Sequence, residues 1–191
     1  MKTTKKQLEK IARGIRLLVL DVDGVLTDGS IILDNEGNEF KSFHVRDGHG
    51  IKMLQQAGVQ VAIITGRQSK VVERRALELD IKEVYQGRKE KVVTYEIIKE
   101  KFNLIDNEVA YVGDDIVDIP IFKRVGLSIA PCDATDETKA HAMMVTKNRG
   151  GRGAVREVCD FLLRARGAWE AATGEGTPQK AKDLLRPPEG S

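Results

Sequence analysis

A chain of 191 residues, 41% hydrophobic and 31% charged, is long enough to bury one real core and too short for two independent ones. With 31 basic against 29 acidic side chains the net charge is only +2, which offers no field for nucleic acid or a membrane surface as partner. No apolar run reaches a membrane span, Glu9, Lys10 and Arg13 interrupt any signal-peptide centre, and Cys132 and Cys159 form neither a disulfide framework nor a zinc spacing, so a reducing cytoplasm is the expected compartment.

Residues 3–12 read as a short basic helix, with Leu8, Ile11, Ala12 and Ile15 on one apolar face. The apolar run 17–20 then ends abruptly in Asp21-Val22-Asp23-Gly24. Such a run is a buried strand of a parallel sheet, and its carboxyl end is where open α/β sheets bind ligands. Residues 30–33 and 39–45 flank the turn 34–38 and predict a β-hairpin carrying Ile31, Ile32, Phe40 and Phe43. A lone hairpin cannot bury both faces, so the body of the domain or another subunit has to cover it. Asp47 is placed to N-cap a helix that runs to about residue 57.

Strand 59–64 follows and ends in Thr65-Gly66-Arg67. Helix 69–79, strand 82–85, helix 89–102 and strand 109–112 come next, the last ending in Gly113-Asp114-Asp115. Helix 119–125, strand 127–130, helix 138–142 and strand 143–145 lead to a glycine-rich loop, 149–153, and a helix over 154–166. This alternation predicts an α/β chain with a doubly wound, mostly parallel, Rossmann-like sheet and a β-hairpin insertion. Residues 1–169 form a single domain in this reading, and the Gly-, Pro- and charge-rich residues 170–191 a flexible tail.

Right-handed crossovers put every strand's carboxyl end on one edge, so Asp21, Thr65 and Asp114 converge. Asp21, Asp23 and Asp114 are hard oxygen ligands without a histidine or thiol beside them, a set that suits Mg2+. Thr65 offers a hydroxyl, Gly66 lets a ligand approach the backbone, and Lys91 opens a helix whose N-terminus favours an anion. Together they describe a phosphoryl-transfer site in which Asp21 is the nucleophile and Asp23 the general acid and base. Read singly, each piece is bland: a turn at Thr65, a surface lysine at Lys91, a helix cap at Asp114.

In this order, Asp21-Val22-Asp23-Gly24-Val25, Thr65-Gly66-Arg67, Lys91 and Gly113-Asp114-Asp115-Ile116-Val117-Asp118 resemble the four motifs of the haloacid dehalogenase superfamily of phosphatases. Within it, Phe43-His44-Val45-Arg46-Asp47-Gly48, Ile51-Lys52, Tyr85-Gln86-Gly87 and Gly150-Gly151-Arg152-Gly153-Ala154-Val155-Arg156-Glu157 look like the family that hydrolyses 3-deoxy-D-manno-octulosonate 8-phosphate. The resemblance spans about residues 17–167 and implies a cytoplasmic enzyme in the supply of lipopolysaccharide inner-core sugar. It implies magnesium on Asp21, Asp114 and the backbone carbonyl of Asp23. It implies a small sugar-acid phosphate bound by Asp23, His44, Val45, Arg46, Asp47, Gly48, Lys52, Arg67, Arg75 and Lys91.

The resemblance also implies a homotetramer without a cap domain, and the single hairpin and helix between Asp23 and Thr65 agree with the missing cap. The hairpin is then expected to pack in the oligomer and roof a neighbour's site. The tail and Pro131-Cys132 depart from the pattern. Arg149, Arg152 and Arg156 keep two readings, substrate carboxylate or acids on a subunit surface. Three rival functions remain open at this point: a phosphatase for a sialic-acid-type 9-phosphate, a phospho-receiver, and a vestigial subunit. Against the receiver, the strand next to the first one ends in Thr65 and not in an aspartate.

Overall fold

Leu17–Leu20 (β1) is buried at every residue and lies at the centre of a six-stranded sheet. The computed structural model describes residues 3–174. The other strands are Gln60–Ile64 (β4), Glu83–Tyr85 (β5), Val109–Val112 (β6), Leu127–Ala130 (β7) and Met144–Val145 (β8). The order is β5-β4-β1-β6-β7-β8, and every pairing is parallel. The chain winds outward from β1 to β5, returns to the other side of β1 at β6, and winds outward again. The change of direction opens a crevice at the carboxyl ends of β1 and β6, where doubly wound sheets bind ligands.

Register decides how well the strand ends align. Leu20 lies opposite both Ile63 and Val112. Asp21 is the next residue on β1, and Thr65 and Asp114 each come two residues after those partners, so the three polar groups end almost level.

Alternation along β1 divides the core into two layers. Leu18 and Leu20 face one cluster, built with Ala12 from Lys5–Arg13 (α1), Ile51 and Leu54 from Val45–Gln56 (α2), Val72 and Ala76 from Lys70–Glu78 (α3), and Val155, Val158 and Leu162 from Ala154–Ala165 (α7). Leu17 and Val19 face the other, with Tyr95 and Ile98 from Lys91–Lys101 (α4) and Ile121 and Phe122 from Ile119–Phe122 (α5). A sheet covered on both faces explains why its strands read as apolar runs and not as alternating patterns.

The hairpin is shorter than its sequence predicts. Its strands are only Ile32–Leu33 (β2) and Glu39–Phe40 (β3), and among the described residues no third strand extends the pairing. Ile31, Ile32, Leu33 and Phe40 are all about half exposed or more. The first residues of the expected tail are helical. Trp169–Thr173 forms a short helix (α8), and Trp169, Ala168 and Ala172 pack against the first core cluster while Arg164 lies 3.5 Å over the Trp169 ring. The rest of the expected tail lies outside the described residues.

Asp47 does not cap its own helix. The backbone turns helical at Val45, with His44 as N-cap, so Asp47 falls inside the first turn. Its carboxylate instead accepts from Arg156 N at 2.7 Å and Gly153 N at 3.3 Å, at the N-terminus of α7. The N-cap of α7 is Gly153, at φ +105°, which has no side chain to offer, and Asp47 supplies the missing acceptor from a neighbouring helix. Asp47→Ala is expected to cost about 1–3 kcal/mol, because it strands these donors at a buried helix end. Urea denaturation measures it; a change under about 0.5 kcal/mol, the range of an ordinary surface substitution, would contradict the role.

Candidate active site

Asp21 leaves β1 with its carboxylate nearly buried. Oδ1 accepts from Val22 N at 2.7 Å, and Oδ2 accepts from Lys91 Nζ at 2.5 Å. Lys91, the first residue of α4, also donates to Asp118 Oδ1 at 2.7 Å. Burial works against its ammonium, but Asp21 and then Asp118 outweigh that and hold it above its usual range.

Asp118 was quoted in the sequence only as part of a motif, yet it organises this region. It is completely buried. Its Oδ1 also accepts from Tyr111 Oη at 2.8 Å, and its Oδ2 accepts from Asp114 N at 3.1 Å and Asp115 N at 3.4 Å. The signal available in sequence was the spacing Asp115-x-x-Asp118, which forms a capping box around a short 3-10 turn, Ile116–Asp118.

Carboxylate oxygens of Asp21, Asp114 and Asp118 lie within 4.8 Å of one another. The third carboxylate of the cluster is Asp118, and the side chain of Asp23 is not among them. Asp118's oxygens already have four donors, which leaves Asp21 and Asp114 as the carboxylates free for a cation. Asp23 is drawn elsewhere: Oδ1 accepts from Lys41 Nζ at 2.5 Å, and Oδ2 lies 3.7 Å from Arg67 Nε.

The donor set fits magnesium, being hard carboxylate oxygen with an ammonium as its one fixed counter-charge. Burial, then the like charges of Asp21 and Asp118, push the Asp114 carboxyl up to about 7. Burial, partly offset by Lys91, pushes that of Asp21 up to about 6. Both are raised above their unfolded value, so the metal-free fold holds extra protons and loses stability as pH rises from about 4 to about 7. A divalent cation removes that penalty. The thermal midpoint gained with saturating magnesium is therefore expected to be larger at about pH 8 than at about pH 5, with proton release on binding in between. A gain that shrinks as pH rises would contradict it.

Two glycines make the crevice possible. A Cβ on Gly24, at φ +80°, would sit 2.0 Å from Asp114 Oδ2. One on Gly150 would sit 1.8 Å from the Gly24 carbonyl oxygen, so the glycine-rich loop presses backbone to backbone beneath the loop that carries Asp23. Arg152 and Arg156 then pair with acids of their own chain, Asp28 at 3.2 Å and Asp160 at 2.6 Å, and Arg149 is exposed.

Thr65 is buried at the end of β4, and a Cβ on Gly66 would meet nothing within 4 Å, which leaves the space above it open. The other expected substrate contacts are dispersed. His44 and Arg46 line a lateral groove of about 940 Å³ with Arg152 and Arg156, and none of the clustered carboxylates borders it. The His44 Nδ1 is buried without a hydrogen-bond partner, 3.9 Å from Asp47 Oδ2. Val45 is 77% exposed, whereas Asp47 is buried against the N-terminus of α7 and Gly48 packs against the Arg75 guanidinium.

Arg75 lies 5.7 Å over the Phe43 ring and pairs with Glu78 at 3.3 Å. Lys52 pairs with Asp80, in a groove with Gln60 and Val61 at the amino end of β4. Lys52 therefore does not join the crevice of its own chain: α2 starts at the carboxyl edge of the sheet and carries Lys52 about two turns toward the opposite edge.

An aspartate at the end of the central strand tied to a lysine, which is tied to a buried aspartate beside a third carboxylate, is a geometry suited to phosphoryl transfer. Residues 81–158 match the family model of the haloacid dehalogenase-like hydrolases. The chain is 49% identical over 164 residues to the 3-deoxy-D-manno-octulosonate 8-phosphate phosphatase KdsC of Escherichia coli K12, covering 86% of this chain and 87% of that protein. The chain belongs to this phosphatase family of haloacid dehalogenase-like hydrolases. The crystal structure of the family member from Yersinia pestis superposes with a TM-score of 0.84 at 47% identity, covering 85% of this chain and 88% of that one. The member from Moraxella catarrhalis, solved with magnesium, phosphate and KDO, superposes with a TM-score of 0.88 at 38% identity, covering 90% and 99%. Between Asp23 and Thr65 only the hairpin and α2 intervene, too little chain for a separate lid domain.

Proposed function

We propose that this phosphatase hydrolyses 3-deoxy-D-manno-octulosonate 8-phosphate to the free sugar acid and phosphate, with magnesium, through an aspartyl-phosphate on Asp21. The observation that carries the chemistry is the Asp21–Lys91–Asp118 chain of charge-assisted hydrogen bonds with Asp114 beside it. Support for the substrate is the 49% identity to relatives of that name.

In the first step a carboxylate oxygen of Asp21 attacks phosphorus. The bond from phosphorus to the sugar oxygen breaks, and protonated Asp23 gives its proton to that oxygen. In the second step Asp23, now a carboxylate, takes a proton from water as the water oxygen attacks phosphorus. The bond from phosphorus to Asp21 breaks, phosphate leaves, and both aspartates return to their starting states. Lys91 and Thr65 hold the phosphoryl oxygens, a placed positive charge and a hydroxyl that need no reorganisation as charge shifts. Magnesium, held by Asp21, Asp114 and the Asp23 carbonyl, supplies further positive charge there when bound.

The working form in this reading is a homotetramer of single-domain subunits in the cytoplasm, feeding lipopolysaccharide inner-core sugar. Two features support the assembly. The hairpin leaves Ile31, Ile32, Leu33 and Phe40 exposed, and the expected contacts Val45, Arg46 and Arg75 lie apart from the crevice of their own chain, where a neighbour's crevice could take them. Phosphate release from the 8-phosphate, a sialic-acid-type 9-phosphate and glucose 6-phosphate, with and without magnesium, tests the function. Magnesium-dependent turnover that favours the 8-phosphate by at least about tenfold in kcat/KM is expected, a modest transition-state preference. Equal rates across the panel would overturn the substrate, and an active monomer by light scattering would overturn the assembly.

A further inference from the structure

Lys41 is a lysine on the hairpin, just past β3, yet its side chain is only 1% exposed. A buried ammonium persists only with counter-charges, and this one has two. It lies 2.5 Å from Asp23 Oδ1 and 3.5 Å from Glu39 Oε1. Arg67 closes the ring from the loop after β4, 3.0 Å from the same Glu39 oxygen and 3.7 Å from Asp23 Oδ2. Two cations and two anions from three separate segments thus hold one another. The Ser69 hydroxyl, then Arg67 and Lys41, keep the Glu39 carboxyl below its usual range.

Asp23 sits on a turn, where nothing in the sheet holds its side chain. We infer that Lys41 is a positioning residue for Asp23: its ammonium fixes Oδ1 and turns Oδ2 to the reacting oxygen. Oδ2 is beyond hydrogen-bond reach of Arg67 and stays available for proton transfer. Lys41 itself is too buried to meet substrate, so it acts through the acids it holds, Asp23 foremost. The role rests on Asp23 being the acid and base of the proposed reaction, and not on which phosphate ester is hydrolysed.

The test is a double-mutant cycle on the full, magnesium-loaded chain, assayed side by side on the 8-phosphate and on phenyl phosphate. Lys41→Met is expected to lower kcat about 10²-fold, the low end of what a placed acid and base contributes, with KM within about threefold. In an Asp23→Asn background the same change is expected to cost nothing further, since the group it positions is gone. Lys41→Arg keeps the charge and is expected to recover most of the rate. Lys41→Gln still donates a hydrogen bond, falls in between, and carries the cycle if Lys41→Met does not fold. Equal losses in the two backgrounds would assign Lys41 a purely structural part and overturn the inference, as would a wild-type kcat in Lys41→Met. Turnover of phenyl phosphate alone would overturn the proposed substrate and still leave the Lys41 comparison readable.

Discussion

Asp21→Asn is expected to abolish turnover, by on the order of 10⁴-fold or more, the scale on which losing one member of a catalytic unit is measured. The substitution is close in shape, so the loss is chemical. An amide oxygen does not attack phosphorus as a carboxylate does, and no covalent intermediate forms. The contacts sharpen the expectation. The backbone N of Val22 already donates to one Asp21 oxygen and Lys91 to the other, so an amide NH₂ would face a donor whichever way it turned. Acid quenching of the wild-type chain during turnover, followed by peptide mass spectrometry, is expected to find phosphate on the peptide that contains Asp21. The variant is expected to show none while it stays folded. Retained turnover, or phosphate on another residue, would overturn the nucleophile assignment.

Asp118→Asn is expected to be the most destabilising single change at the site. Asp118 accepts four hydrogen bonds in complete burial, from Lys91, Tyr111 and the backbone of Asp114 and Asp115. Asparagine matches one pair of donors and turns its own NH₂ on the other. Removing one partner from a buried, hydrogen-bonded ion pair costs about 3–5 kcal/mol. For a domain of this size that lowers the thermal midpoint by roughly 6–20 °C. Lys91 would keep only Asp21, and the Asp114 loop would lose its anchor, so activity falls as well. Asp115→Asn is the contrast. Asp115 is exposed and caps Ile116 N at 2.7 Å, a duty asparagine performs equally well, so its midpoint is expected to stay close to wild type. Equal effects from the two variants would show that the motif's acids act only through their charge.

The sheet, its doubly wound order and the crevice were legible in the sequence, because each rests on a local signal. A strand buried on both faces must be an unbroken apolar run, as at 17–20, 61–64 and 109–112, and parallel crossovers leave one possible edge for Asp21, Thr65 and Asp114. What the tertiary structure alone decided is which side chain each charge meets. Lys91 reaches Asp21 across 70 residues of sequence, Asp23 meets Lys41 across 18, and Asp47 caps a helix 109 residues away. Asp47 looked like the cap of its own helix because an acidic residue before an apolar helix usually is one, but the backbone turned helical two residues earlier. Lys52 and Asp118 show the same limit from opposite sides, one carried away from the crevice and the other brought into it. Charged side chains on loops and helix ends carry no periodicity, and only the packed register of strands and helices selects their partners.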